Sequence, residues 1–178
     1  MRFKKIVLVL ILMTVIFFSC SKKNTRLLLN ESEYYDRILK QYKKGDYIDF
    51  RKNADYFKSD YPGNSQIPYI QYLIAESYFD EEDFAKAISE YNKILYKYPD
   101  SNYLNDAYYK IGLSYFKQKR HPQRDQTNTE KAIYYLNKVV EQGETKYSKK
   151  AKEMINKCRD TLAKKEFYRA RFYFRRKS

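Results

Sequence analysis

"AESYFDEEDFAKAISEYNKILYKYP", residues 75–99, decides the fold because much of it occurs twice. Its opening "AESYF" returns as "GLSYF" at 112–116, an offset of 37. The closing "YP" at 98–99 answers "YP" at 61–62, and "EDF" at 82–84 answers "GDY" at 45–47, both by 37 again. "KAISEYNKIL" (86–95) comes back as "KAIYYLNKVV" (131–140) at an offset of 45, so about eight residues are inserted in the loop containing "KRHPQRDQT". "DSNYLNDA" (100–107) then matches "ETKYSKKA" (144–151). One period shared by several motifs marks a repeat architecture.

Each unit reads as two helices. Ala75 or Gly112 stands three residues before Tyr78 or Tyr115, a tight polar turn follows, and Ala87 or Ala132 lies near the start of the second helix. Small residues let helices approach and aromatics fill the gaps between pairs. Pro62 and Pro99 close two units, as prolines beyond helix ends do. The pattern resembles the tetratricopeptide repeat, best at Ala75, Tyr78, Ala87, Tyr91 and Pro99. In unit one, Arg37 and Gln41 fall where that pattern wants apolar groups, which suits either a terminal repeat with a wetter face or a register slipped by one. The expected fold is all-α: a solenoid of antiparallel helix pairs with about three and a half repeats over residues 31–178. Helices are predicted over 31–43, 46–59, 66–80, 83–97, 102–118, 128–141 and 147–175, the last long because no glycine or proline interrupts it.

The N-terminus sets the compartment. "MRFKK" is basic, and the apolar run "IVLVLILMTVIFF" (6–18) is shorter than the ~20 residues needed to span a bilayer. Cys20 follows Ser19 and precedes the polar "SKKNT", which resembles a bacterial lipoprotein processing site, although Phe17 and Phe18 stand where that pattern places leucine and a small residue. Residues 1–19 are therefore expected to be a signal peptide, and 20–30 a linker beginning at a lipidated Cys20. The net charge of +14 loses Arg2, Lys4 and Lys5 with the signal, leaving +11. In an exported chain such charge meets anionic headgroups and acidic proteins rather than nucleic acid. Cys158 then has no disulfide partner; sharing a helical face with Ile155 and Leu162, it reads as a core residue.

Catalytic signals are absent. His121 sits beside a proline in the inserted loop without companion ligands, and there is no phosphate loop or nucleophile elbow. No cofactor is expected. The carboxylates of "DEED" (80–83) fall in a helix–helix turn, where solvation accounts for them.

The final stretch, "RDTLAKKEFYRARFYF" (159–174), resembles the BamD family of outer-membrane assembly lipoproteins, which carry a segment of the form R-x-x-LA-x-x-E-x-Y-x-AR-x-Y. The resemblance covers essentially all of the chain after Cys20. It implies a non-enzymatic, lipid-anchored stack of five tetratricopeptide repeats on the periplasmic face of the outer membrane. The expected partners are the periplasmic domain of a BamA-like barrel subunit and the C-terminal segments of unfolded outer-membrane proteins. "ARFYF" (170–174) aligns with "AESYF" as the first helix of a fourth unit; about one and a half of the family's repeats are expected to be absent, with the contacts they would make.

An aromatic ladder is the candidate site. Counting from the small core position, Tyr72 and Phe79, Tyr109 and Phe116, and Phe167 and Phe174 occupy equivalent places, and the period points back to Tyr35 and Tyr42. These rings, with Arg171 and the nearby Arg169 and Lys110, either line a groove for an extended peptide ending in an aromatic and a carboxylate, or pack between repeats; the tyrosine-rich composition is a third account. Fully burying a large aromatic contributes roughly 1.5–3 kcal/mol. Of Phe167, Tyr168, Phe172, Tyr173 and Phe174, some are therefore expected to fold back on unit three and the rest to form a partner surface. A rival reading is an exported repeat scaffold of the cell envelope or division apparatus, associated with Tol–Pal; another is a nucleic-acid-binding tail.

Overall fold

A computed structural model describes residues 30–176. The expected signal peptide, residues 1–19, and Cys20 lie outside the described residues. The contact pattern divides the chain at Arg37 into a short N-terminal unit and a unit of residues 38–178, to which the packing below belongs. Among the described residues seven helices follow one another: α1 (Glu31–Lys44), α2 (Tyr47–Asp60), α3 (Ile67–Asp80), α4 (Phe84–Lys97), α5 (Leu104–Lys117), α6 (Thr127–Glu141) and α7 (Ser148–Arg176). Among the described residues there is no strand, and no helix is long and apolar enough to cross a membrane. The fold is a tetratricopeptide-type helical solenoid, in which each helix from α2 onward packs mainly on the next.

Local chemistry sets the boundaries. Asp83 caps α4 by accepting the Lys86 amide at 3.1 Å, and Pro68 sits in the first turn of α3, where its missing N–H costs nothing. The α1–α2 and α3–α4 turns use one geometry. Gly45 adopts φ +78°, and its repeat equivalent Glu82 adopts φ +58°. Unit one meets the left-handed requirement with glycine; unit two meets it with a residue for which that conformation is strained.

Two core clusters fill the solenoid. Ala75, Ala87, Tyr91, Ile94, Ala107 and Ile111 close the α3–α4–α5 layer, and Ala132, Leu136, Val139, Ala151, Met154, Ile155 and Cys158 close the α5–α6–α7 layer. Gly112 explains why the small position of the motif is small. A Cβ there would meet Leu136 Cγ at 2.8 Å and the Leu136 backbone N at 3.2 Å. Cys158 is buried as its helical face required, and burial lifts its thiol pKa to about 11.

In the second half of α7 the five aromatics divide unequally between unit three and solvent. Of its five aromatics only Tyr168 turns back to unit three, its ring 6.1 Å from that of His121. Phe167, Phe172, Tyr173 and Phe174 are 56–81% exposed. The preceding part of α7 buries Ala151, Met154, Ile155 and Cys158 against α5 and α6, whereas Ala163, Ala170 and Phe174 are exposed.

Candidate functional site: an aromatic and carboxylate seam

The rungs of the ladder fall into two sets, and each set repeats its own contact. In the first, the ring of one unit meets the tyrosine that opens the next. Tyr72 stacks on Tyr103 with centroids 5.3 Å apart and planes at 24°, and Tyr109 stacks on Tyr147 at 4.1 Å and 6°. Tyr69 stacks on the same Tyr103 at 5.4 Å. Tyr103 and Tyr147 are the matched tyrosines of "DSNYLNDA" and "ETKYSKKA". The sequence therefore displayed both halves of this stack, but not that they touch. Position 66, which corresponds to Tyr103 in unit one, is Gln66 rather than a tyrosine. Tyr35 is half-buried on α1.

In the second set the ring clamps its own helical hairpin. Tyr42 lies 5.6 Å from Tyr47, and Phe79 lies 5.4 Å edge-on to Phe84. These pairs occupy the same places in units one and two. In unit three the insertion breaks the correspondence, and Phe116 instead carries Lys119 over its face at 5.2 Å. Tyr109 is buried, whereas Tyr42, Tyr72, Phe79 and Phe116 keep part of their surface in solvent. Phe167, Arg171 and Phe174 are exposed on α7, apart from these rungs.

Carboxylates accompany the rings, and no repeat signal revealed them. Asp80 accepts the Tyr47 hydroxyl at 2.8 Å. Glu76 accepts the Tyr91 hydroxyl on one oxygen and Lys110 Nζ at 2.6 Å on the other. Asp106 accepts the Tyr147 hydroxyl at 2.8 Å and Lys146 Nζ at 2.7 Å. Burial, followed by the hydrogen bond to Asp80 or Asp106, pushes the Tyr47 and Tyr147 hydroxyls up to about 12. Tyr72 and Tyr91 are raised further, by burial first and by the Glu76 charge next. Lys110, a candidate for a free positive charge, is thus committed to Glu76 while its ammonium sits 4.3 Å over the Phe79 ring. Arg169 is paired with Glu166. In the "DEED" turn Glu81 holds Arg51 at 2.8 Å, so three of its four acids have specific partners. Among the described residues no group of histidine, cysteine and carboxylate side chains could hold a metal ion.

Paired helices at a fixed period, small residues at the hairpin crossings and tyrosines stacked from unit to unit define the class: a tetratricopeptide-type repeat protein. Residues 29–178 match the YfiO outer membrane lipoprotein family, and the chain belongs to that family. A relative from Aquifex aeolicus (strain VF5), which carries the name of outer membrane protein assembly factor BamD, is 30% identical over 146 residues, 79% of this chain and 47% of its own. The BamD of Caulobacter vibrioides is 28% identical over 129 residues, 68% of this chain and 41% of its own. The chain thus spans a little under half the length of the curated relatives it matches.

Proposed function

We propose that the chain is a non-enzymatic repeat scaffold of outer-membrane protein assembly, held on the periplasmic face of the outer membrane by lipid on Cys20. The observation that carries this reading is the family match across 29–178, nearly the whole chain beyond the N-terminal apolar run. The partners are the periplasmic domain of a BamA-like barrel subunit and the C-terminal segments of unfolded outer-membrane chains. The exposed aromatics of α7, Phe167 and Phe174 with Arg171 between them, form the partner surface. The half-exposed edges of Tyr42, Tyr72, Phe79 and Phe116, with Tyr109 stacked on Tyr147, form the peptide-facing seam, and Tyr35 on the N-terminal unit is a further candidate contact. Rigid rings with few rotatable bonds suit that task.

Affinity purification of the intact lipoprotein from membranes tests the reading. The barrel subunit should co-purify; recovery of Tol–Pal or division proteins in its place overturns the assignment. Cys20→Ala should release the protein from membranes and abolish labelling by a fatty-acid probe, and unchanged labelling rejects the anchor.

A further inference from the structure

The end of α7 lines a pocket of about 360 Å3, which Gln123 of the inserted loop of unit three, a segment the repeat fold does not require, borders on its other side. Tyr168, Arg171, Phe172 and Arg175 line it at i, i+3, i+4 and i+7, one face of the helix, joined by Arg176 and, from the loop, Gln123. No carboxylate lines it. Among the described residues Arg171 and Arg175 have no acidic partner, in contrast to Arg51 and Arg169, which do.

The loop wall is built. Gln126 is 1% exposed, and its amide donates to the carbonyls of His121 at 2.8 Å and Arg124 at 3.0 Å, while its oxygen accepts the Thr129 hydroxyl. Asn128 donates to the Gln118 carbonyl at 3.2 Å and ties down the start of the loop. Arg120 and Arg124 are exposed on this segment and raise the local positive charge further. The Tyr168 ring lies against His121, and the Arg176 guanidinium sits 5.5 Å over Phe172.

We propose that this pocket is an anion site for a phosphomonoester, the headgroup of an anionic lipid. Three guanidiniums around one small pocket outnumber the single charge of a carboxylate. They match a group of charge ~−2 with three acceptor oxygens, which planar arginine forks bind in pairs. The aromatic walls Tyr168 and Phe172, and the exposed Phe167 and Phe174 on the same two turns, favour a lipid source over soluble phosphate, since such rings settle at a membrane interface. The lipid source rests on the membrane attachment proposed above; the anion site does not.

Calorimetric titration of the full chain in neutral detergent separates these claims. The probes are dihexanoyl phosphatidic acid, dihexanoyl phosphatidylcholine and inorganic phosphate. Phosphatidic acid should bind at least tenfold more tightly than either of the others. Arg171→Gln with Arg175→Gln should weaken it tenfold or more. Lys149→Gln with Lys150→Gln removes equal charge from the far end of the same helix, roughly 35 Å away at 1.5 Å per residue, and should leave binding unchanged. Equal binding of the two lipids, or equal loss in both charge variants, overturns the site. Inorganic phosphate binding as tightly as phosphatidic acid, with the same arginine dependence, upholds the anion site and overturns its assignment to lipid. Arg171 is shared with the surface proposed for the barrel subunit, but these titrations contain no barrel subunit and read only the anion, so this proposal and the assembly reading fail separately.

Discussion

The same five-residue pattern occurs in two environments. In α3, "AESYF" buries Ala75 completely and half-buries Tyr78 and Phe79; in α7, "ARFYF" leaves Ala170 exposed, Tyr173 61% exposed and Phe174 81% exposed. The residues are nearly alike, and the neighbours are not. Ala75 belongs to a cluster that α4 and α5 supply with Ala87, Ile88, Tyr91, Ala107 and Ile111. Polar bonds also accumulate only at the first copy. Glu76 binds Tyr91 and Lys110, whereas Arg171, which replaces it in the motif, binds no acid among the described residues. A tetratricopeptide signature therefore specifies a helix with a face to cover. Burial comes from whatever covers it.

The largest effect should come from breaking the polar bonds of the covered copy. Glu76 and Lys110 side chains are only 13% and 16% exposed. Glu76→Ala leaves Lys110 and the Tyr91 hydroxyl unmatched and should lower unfolding stability by about 3 kcal/mol in urea. The double variant Glu76→Leu with Lys110→Leu should lose less than the single one, since no buried charge is stranded. A double loss equal to or above the single loss would show that the bond itself, and not the stranded charge, dominates.

The small position of the motif sharpens the contrast next. Gly112→Val drives carbon into Leu136, whose Cγ and backbone N already stand 2.8 Å and 3.2 Å from a built Cβ, and should cost about 2–3 kcal/mol. Ala170→Val at the equivalent position of α7 should change stability by less than about 0.5 kcal/mol. Equal losses would mean that α7 is covered in solution and that the two copies are alike.

Seven helices were legible because the repeat displays itself in sequence; α3 and α4 begin and end within one residue of the predicted spans. The rungs were legible as positions for the same reason. Their contacts were less so. The partner of Tyr109 is Tyr147, thirty-eight residues on, and only the match of "DSNYLNDA" to "ETKYSKKA" hints at the pair. Glu76 was invisible as a hub because its counterpart in unit three is Leu113, so periodicity carries no trace of it. The arginine pocket was equally hidden. It joins Gln123 to residues 168–176 through an insertion, and insertions are where self-comparison is blind.

A smaller effect follows from alkali. The Cys158 thiol, ordinarily near 9, is held at about 11 in the folded chain, and Tyr47 and Tyr147, ordinarily near 10, are held at about 12. A raised folded pKa means that the unfolded chain releases its proton first. The stability contributed is complete below pH 9 and declines as pH rises through 9–12. The urea midpoint should be flat from pH 7 to 8.5 and fall progressively above pH 9. Cys158 should stay inert to a thiol reagent at pH 8 until the chain unfolds, because it has no exposed surface. Rapid labelling of the folded chain would place α7 loosely on α5 and α6.

The smallest effect on stability should come from the uncovered copy itself. Deleting residues 167–178 removes four aromatics that are at least 56% exposed and one, Tyr168, whose ring meets His121 of the inserted loop. The buried residues of α7 end at Cys158, eight positions before the cut, so the α5–α6–α7 cluster keeps every member. Unfolding stability should therefore change by no more than about 1 kcal/mol, with the helical signal reduced only by the residues lost. Binding should respond in the opposite sense, with recovery of the barrel subunit lost while the fold persists. A truncated chain that unfolds would make the end of α7 part of the core. One that folds and still recovers the barrel subunit would move the partner surface off Phe167, Arg171 and Phe174 and onto the rungs of units one to three.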